Sequence, residues 1–411
     1  MDLHGPRRLP DHAVLAVTVL HDPSAHEPLG GALWDADAAR DGAHRTVTEA
    51  LAAFESGRLW PCHPRDVEPV DVGRLRGFTS LYLGAAGVAW ALHRLTGTSP
   101  IDADGLLTAF DAEPDMPDMT YGLLLGEVGV ALVALELGGA ADHGERLAAA
   151  IRQAIPRTER ELLWAAPGAI HAALAAHAHT GEPRWLDLAA RAVDELWRTL
   201  DAPDERGLRL WTQDLYGHRQ RLLGLGHGFA GNVHALLRAG DLLGDARCAE
   251  LVDIATRVLD ATAVWDDGAA NWPPDVDRDE PLRRVQICHG APGIVIGLAA
   301  VPAGASPLLD EMLVAAGEAT WRAGPISRGP GLCHGTAGNG YALLALWERT
   351  GQQHWLDRAR AFAMHALAQC EAERAAVGHG RHALWTGDLI LPFYVEACVA
   401  GHASVAGLDM L

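Results

Sequence analysis

Basic residues are scarce in this 411-residue chain: 33 stand against 53 acidic ones, a formal net charge of −20. A surface so acidic repels phosphate backbones, which excludes nucleic acid as a partner and disfavours anionic membranes for the same reason. Cysteine is sparse too, with six residues in no dense or regular framework. That excludes a disulfide scaffold and points to a reducing, cytoplasmic setting. No uninterrupted apolar stretch is long enough to span a bilayer; the run after Gly293 is broken by Pro302 and Gly304. No export signal is recognisable either. Arg7 and Arg8 precede an apolar run from Ala13 to Leu20, but Asp11 and His12 interrupt it, the run is short, and no clear cleavage site follows. It reads as a buried first element. Aromatics make up only 6% of the chain.

What the chain has is apolar residues, 49% of the total, with alanine and leucine dominating the long stretches. That composition favours helix over sheet and allows a sizeable core. One pattern recurs: Gly-x-x-Gly followed by an apolar run of helical period. It occurs at Gly84 and Gly87, Gly126 and Gly129, Gly228 and Gly231, Gly290 and Gly293, and Gly335 and Gly338. Two degenerate copies keep only Gly168 and Gly387, the latter with Ile390 in the second position. Amphipathic segments lie between the copies, among them 184–200, 246–261 and 354–370. Each unit is therefore a helix pair, and seven pairs that cannot bury their faces alone are expected to close into an all-α, α/α toroid. Common solenoid repeats have shorter, more regular periods, which argues against an open array. Residues 76–411 are assigned to the toroid and 1–75 to an N-terminal extension packing on it. The glycines are expected to allow unusual φ at each helix entry. All seven helix N-termini are expected to converge on one rim, favourable for anions and thiolates.

Three of these loops place His or Cys just before the first glycine: Gly226-His227-Gly228, Cys288-His289-Gly290 and Cys333-His334-Gly335. Equivalent positions in a toroid lie at one end of one cavity, which makes these residues a candidate site. Three protein ligands with a fourth position open is the pattern of catalytic zinc. Cys288 and Cys333 are the natural pair, and the spacing alone barely separates His289 from His334 as the third ligand. Cys62, Cys248, Cys370 and Cys398 read as core residues, and Pro61-Cys62-His63-Pro64 as a rigid loop.

The motifs Gly224-Leu-Gly-His227-Gly-Phe-Ala-Gly231, Cys288-His-Gly-Ala-Pro-Gly293 and Cys333-His334-Gly-Thr-Ala-Gly338-Asn339, in that order, resemble those of the lanthionine synthetase C (LanC) and LanC-like cyclases. The similarity runs from about Gly77 to the C-terminus. It implies a seven-pair α/α toroid, Zn²⁺ held by Cys288, Cys333 and His334, and His227 as the acid–base residue. The implied reaction is Michael addition of a cysteine thiol to dehydroalanine or dehydrobutyrine, forming thioether rings in a dehydrated precursor peptide. Asn339, which ends the third motif, and Tyr121, which matches the family's Tyr before the second Gly-x-x-Gly, are substrate-contact candidates. One departure stands out: relatives that act alone carry Tyr-Asp before the second Gly-x-x-Gly, and here Gly122 follows Tyr121. Arg328, five residues before the second cysteine, and Arg284, four before the first, are the catalytic candidates left to stabilise an anionic intermediate.

Two other readings use the same residues: addition of glutathione or another small thiol to dehydroamino acids, and a non-catalytic, zinc-containing peptide-binding scaffold. A glycosidase or sugar epimerase on a similar toroid would need carboxylate pairs and cavity aromatics, whereas these loops carry Cys and His. A dehydratase is expected on a separate chain, because none fits in 411 residues beside the toroid.

Overall fold

The computed structural model describes residues 19–71, 74–278 and 284–409. Of the apolar run at Ala13–Leu20, only its last two residues fall within them, and Leu20 is buried. The rest of that run, with Arg7 and Arg8, lies outside the described residues.

Among the described residues the chain is a double ring of helices. After α1 (Ala36–Ala52), apolar inner helices alternate with amphipathic outer ones. The pairs are α2 (Ala85–Thr96) with α3 (Ala103–Ala112), α4 (Glu127–Glu136) with α5 (Ala141–Ala154), and α6 (Ala166–Thr180) with α7 (Pro183–Arg198). Next comes α8 (Phe229–Arg238), then the one-turn α9 (Gly240–Leu243) and α10 (Asp245–Thr262). The ring continues with α11 (Ala291–Leu298) and α12 (Pro307–Ala323), α13 (Thr336–Thr350) and α14 (Gln353–Val377), and ends on α15 (Leu391–Ala400). Sequence patterning explains the two layers. In α4 every residue from Val128 to Glu136 is buried, whereas α7 buries one stripe: Trp185, Leu188, Ala189, Ala192, Val193 and Leu196. The inner helices α2, α4, α6, α8, α11, α13 and α15 contact one another in that order. Trp90 of α2 stacks on Phe393 of α15 with ring centroids 5.4 Å apart, so the array closes as an α/α toroid. Helix α1, from the segment set apart as an extension, packs on α14 and α15 and gives α15 its outer partner.

The outer helices α1, α3 and α12 start with side-chain caps from Asp35, Asp102 and Ser306. The inner helices use backbone instead. The loop before α2 curls so that Ala85, Ala86 and Gly87 N–H donate to the carbonyls of Phe78, Thr79 and Ser80, at 2.9, 3.0 and 3.4 Å. The same three bonds recur before α8 and α13. At α2, α8 and α13 this corrects the expected anion-attracting rim: the first N–H groups of these helices are already taken by loop carbonyls. The curl also explains the second glycine. A Cβ on Gly87, Gly129, Gly231, Gly293 or Gly338 would lie 1.8–2.3 Å from the carbonyl oxygen six residues earlier. The first glycine is a further correction. Its φ is unusual only at Gly228 (+155°) and Gly290 (+111°), while Gly84, Gly126 and Gly335 are extended and Ala165 fills the third place.

The curled loops share a fixed register, the residue two before each inner helix's first cap (Tyr82, Leu124, Leu163, Gly226, Cys288, Cys333 and Trp385), and five of the seven neighbouring pairs are joined there by a backbone hydrogen bond. Tyr82 N–H donates to the Leu124 carbonyl (2.8 Å), Leu124 to Leu163 (3.3 Å), Cys288 to Cys333 (3.4 Å), Cys333 to Trp385 (2.9 Å) and Trp385 back to Tyr82 (3.3 Å). Below this belt the C-terminal segment fills the interior: Val405, Ala406 and Leu408 are buried, and Asp409 lies 3.1 Å from His234 Nε2. Two hairpins, β1–β2 (Gln213–Leu215, His218–Gln220) and β3–β4 (Val264–Asp266, Ala269–Asn271), precede α8 and α11. Each turns on two residues of positive φ, Tyr216-Gly217 and Asp267-Gly268.

Two buried imidazoles make the fold acid-sensitive. Burial, aided by the neighbouring His234, pushes His171 from 6.5 down to about 3, and burial pushes His382 to about 4. Between those values and 6.5 the unfolded chain binds protons that the folded chain refuses, so stability falls as pH drops through this window. Each imidazole contributes about 1.4 kcal/mol per pH unit at most. Thermal melts from pH 7.5 to 4.5 should show Tm falling steadily below about pH 6.5, with a shallower slope in His171→Gln. A flat Tm in the wild type would contradict the burial of these rings as neutral species.

Candidate active site

The fifth and sixth belt loops are neighbours, so Cys288 and Cys333 sit side by side, each about 5% exposed (6% and 5%). Their sulfurs and a ring nitrogen of His334 lie within 4.8 Å of one another. A tetrahedral ion with metal–ligand bonds of about 2.0–2.3 Å needs ligand atoms roughly 3.5–4 Å apart, so the three donors fit one ion after small rotamer adjustments. Two sulfurs and an imidazole are also the donor chemistry that zinc prefers.

The two Cys-His-Gly motifs are not conformational copies. Gly290 has φ +111° and Gly335 an extended −134°, so the histidine before each leaves the backbone differently. His334 joins the sulfurs. His289 turns away and stacks on His227, centroids 5.5 Å apart and rings 19° from parallel. His227 precedes Gly228, whose φ is likewise positive, and the shared backbone type explains why these two rings lie together.

The sulfurs are chemically poised. In the pair, the Cys333 thiol hydrogen-bonds Cys288 and, outweighing burial, holds Cys288 well below the usual thiol range; the same bond, with burial, pushes Cys333 up. Gln286 Nε2 donates to Cys288 Sγ at 2.8 Å, and the Tyr82 hydroxyl bonds Cys333. Arg381, 3% exposed and paired with Asp66, holds the sixth loop through the Arg328 carbonyl (3.4 Å) and adds positive charge near Cys333. The sequence reading did not find Gln286, Tyr82 or Arg381. Each is unremarkable by residue type and acts only through the belt.

A fourth omission matters more. His227 Nδ1 lies 2.6 Å from Oε2 of Glu161, whose side chain is fully buried. Burial lowers the His227 pKa, but the Glu161 charge and hydrogen bond outweigh it and leave the imidazole above its ordinary value; burial raises Glu161. Glu161 stands four residues before Ala165, the register that Gly122 holds before Gly126. The carboxylate missing from the second loop is thus present one loop further on. That shared register was the available signal. Gly122 itself has φ +116°, and a Cβ there would lie 2.4 Å from the Leu163 carbonyl oxygen.

A cavity of about 590 Å³ gathers these groups. Its lining includes Tyr82, His227, Cys288, His289, Cys333 and His334, with Arg284 and Arg328 on the walls and Asp22, Ser24 and His26 of the N-terminal segment opposite. Arg284 and Arg328 are exposed and make no ion pair among the described residues. Tyr121 and Asn339 are not on this cavity. The Tyr121 hydroxyl bonds Glu159 (2.9 Å) with its ring under Arg157, and Asn339 is buried with its amide on the Val285 carbonyl (2.9 Å). Of the other cysteines, Cys370 and Cys398 are core residues; Cys62 and Cys248 are partly exposed.

Residues 77–383 match the family model of lanthionine synthetase C-like proteins. Over 186 residues the chain is 31% identical to "Glutathione S-transferase LANCL1" of Danio rerio, covering 45% of this chain and 42% of that protein. Over 83 residues it is 40% identical to "LanC-like protein GCL1" of Arabidopsis thaliana, covering 20% and 19%. The chain therefore spans less than half the length of either relative. Among solved structures it is similar to nisin cyclase, with a TM-score of 0.56 and 14% identity, covering 78% of this chain and 88% of that one. At that identity the likeness is one of fold.

The donor set generates a direct test. Purified, reduced protein should carry one zinc per chain by elemental analysis, and Cys288→Ala and Cys333→Ala should each lose most of it. His289→Phe should keep it. Stoichiometric zinc in both cysteine variants would leave these residues as ordinary core thiols.

Proposed function

The chain belongs to the lanthionine synthetase C-like family, and from that premise we propose that it forms thioethers by adding a thiol to the double bond of a dehydroamino acid in a peptide. The observation that supports this reading is one cavity with two different walls. One carries Cys288, Cys333 and His334; the other carries His227 backed by buried Glu161. Zinc held by the three donors would lower the pKa of an incoming thiol and keep it as a nucleophilic thiolate at neutral pH.

The remaining steps belong to the chain's own residues. The thiolate sulfur bonds to Cβ of the dehydroamino acid, and the C=C electron pair moves to Cα and its carbonyl, giving an enolate. With Nδ1 fixed on Glu161, Nε2 of His227 is the atom left to face the cavity, and it delivers the proton to Cα. The thiol proton, lost on ionisation, returns the histidine to its starting state through solvent, so thiol plus alkene gives thioether with no oxidant or reductant. Arg284 and Arg328 supply positive charge beside the developing enolate. The chain contains no lysine, so no side-chain amine at the site competes with the thiol for the alkene.

The acceptor peptide is a precursor dehydrated by a separate enzyme, and the thiol in the first reading is that peptide's own cysteine, closing a thioether ring. The name of the zebrafish relative, a glutathione S-transferase, favours a second reading in which a small thiol is the donor. Mass spectrometry after thiol blocking separates them. A dehydrated peptide that contains cysteine should lose a free thiol without mass change in the first case. In the second it should gain the mass of glutathione. Neither product from wild-type protein would remove the proposal.

Three variants probe the assigned roles. Glu161→Gln should lower the rate roughly 10- to 100-fold with zinc content unchanged, because the ring loses its anionic partner. His227→Ala should fall further, with zinc still bound. Arg328→Ala should slow thioether formation roughly 10- to 1,000-fold, as expected when one preorganised donor is lost. Adding Gly122→Asp to that variant should not rescue it, and should lower Tm because the second loop has no room for a Cβ. Wild-type rates from Arg328→Ala would place that residue on the rim.

A further inference from the structure

A second cavity, of about 250 Å³, opens behind the first. The two share His227, Arg284 and His289, but none of Cys288, Cys333 and His334 lines the second. Its other walls come from the β1–β2 hairpin and the segment after it (Leu215, Tyr216, Gln220 and Leu222) and from Pro274, Asp275 and Arg278 after β4. We propose that this hairpin-side cavity seats the main chain of the dehydroamino acid peptide, leaving the cysteine-lined cavity for the carrier of the thiol. The assignment rests on the thiol-addition reading above.

The chemistry of the acceptor dictates which partner goes where. In a dehydroamino acid the peptide main chain attaches at Cα, whereas the attacked Cβ is a terminal methylene or carries only a methyl group. Sulfur must approach Cβ, and the proton must reach Cα. The alkene therefore lies between the sulfur donors and His227, with its Cα end, and hence the whole main chain, toward the histidine. His227 and His289 form the wall that the two cavities share, so a chain leaving Cα on that side enters the hairpin cavity. Arg284 also faces both cavities. That places a cation beside the carbonyl attached to Cα, whose oxygen gains charge as the sulfur adds.

The walls suit this occupant. Leu215 and Leu222 are 2% and 8% exposed and give an apolar floor for the side chains flanking the dehydro residue. Tyr216 is 53% exposed at the hairpin turn, and its hydroxyl accepts from Trp164 Nε1 at 3.0 Å, which fixes the ring. A fixed, exposed aromatic face matches the flat, conjugated amide of a dehydroamino acid. On the opposite side, Asp22, Ser24 and His26 border only the cysteine-lined cavity. A small thiol would occupy that side alone. A cyclising peptide would occupy both, crossing the shared histidine wall.

The test separates the two seats. As-purified protein is titrated by calorimetry with a short, cysteine-free dehydroalanine peptide, and the KM for glutathione is measured in parallel. Gln220→Trp, which fills the hairpin cavity, should raise the peptide's Kd and KM about tenfold or more while leaving the glutathione KM and zinc content unchanged. Tyr216→Ala, at an exposed turn, should act in the same direction and guards against a folding artefact. A peptide with a photo-crosslinker next to dehydroalanine should label residues 213–222. Unchanged peptide binding in both variants, a raised glutathione KM instead, or labelling confined to residues 22–28 would each overturn the assignment. If wild-type protein binds the peptide but makes no thioether, the functional reading has failed and not the seat.

Discussion

The inner helices can gather their preceding loops into one belt because in six of the seven a loop carbonyl presses against a glycine; Ile390 stands in that place in the seventh. A methyl group at Gly293 or Gly338 would sit 2.0 or 1.8 Å from that oxygen. With the curl in place, the residues two before each cap come within backbone hydrogen-bonding reach of their neighbours, and Cys288 and Cys333 become adjacent although 45 positions separate them in sequence. The arrangement of sulfurs is thus set by main-chain geometry, and the side chains inherit it. This differs from a site assembled by loop side chains alone, where single substitutions move ligands independently.

Electrostatics follows from the same belt. Burying two thiols and a carboxylate would be costly in an apolar interior. Each has a partner on the belt: Gln286 of the same loop on Cys288, Tyr82 of the first loop on Cys333, and His227 of the neighbouring loop on Glu161. Arg284 and Arg328, which make no ion pair among the described residues, are left to the cavity lining. On a chain with a net charge of −20, that polarises the site against the rest of the surface.

Much of this is legible in the amino-acid sequence. The Gly-x-x-Gly signature marks the start of each inner helix, and the amphipathic segments mark the outer ones, since burial on one or all faces leaves a periodic trace. The Cys-His-Gly motifs point to the cluster for the same reason. What stayed hidden depends on conformation or on long-range contact. His289 and His334 look alike in sequence and diverge only because φ differs at the glycine that follows. Glu161 is one of many acidic residues in a loop with no Cys or His, and the register it shares with Gly122 becomes meaningful only once the loops are known to be stacked. Asn339 and Tyr121 sit inside informative motifs yet hold the scaffold. The Asp267-Gly268 turn was a visible hairpin signal beside strands too short to register as a pattern.

The docking of α1 on α14 and α15 has a consequence for how the molecule comes into being. Of the described α-helices α1 is made before all the others, and it is the outer partner of α15. Until the final repeat is made, α1 has no mate, and the belt lacks the Trp385 carbonyl that receives the Cys333 N–H. Helix pairs in between form from local contacts, which are fast, whereas joining the two ends requires closing a loop of more than 300 residues. Ring closure is therefore the slow, late event of folding. The cysteine-bearing cavity, which lies beside the seam, matures with it, so a chain interrupted before α15 carries its reactive thiols on an unfinished edge.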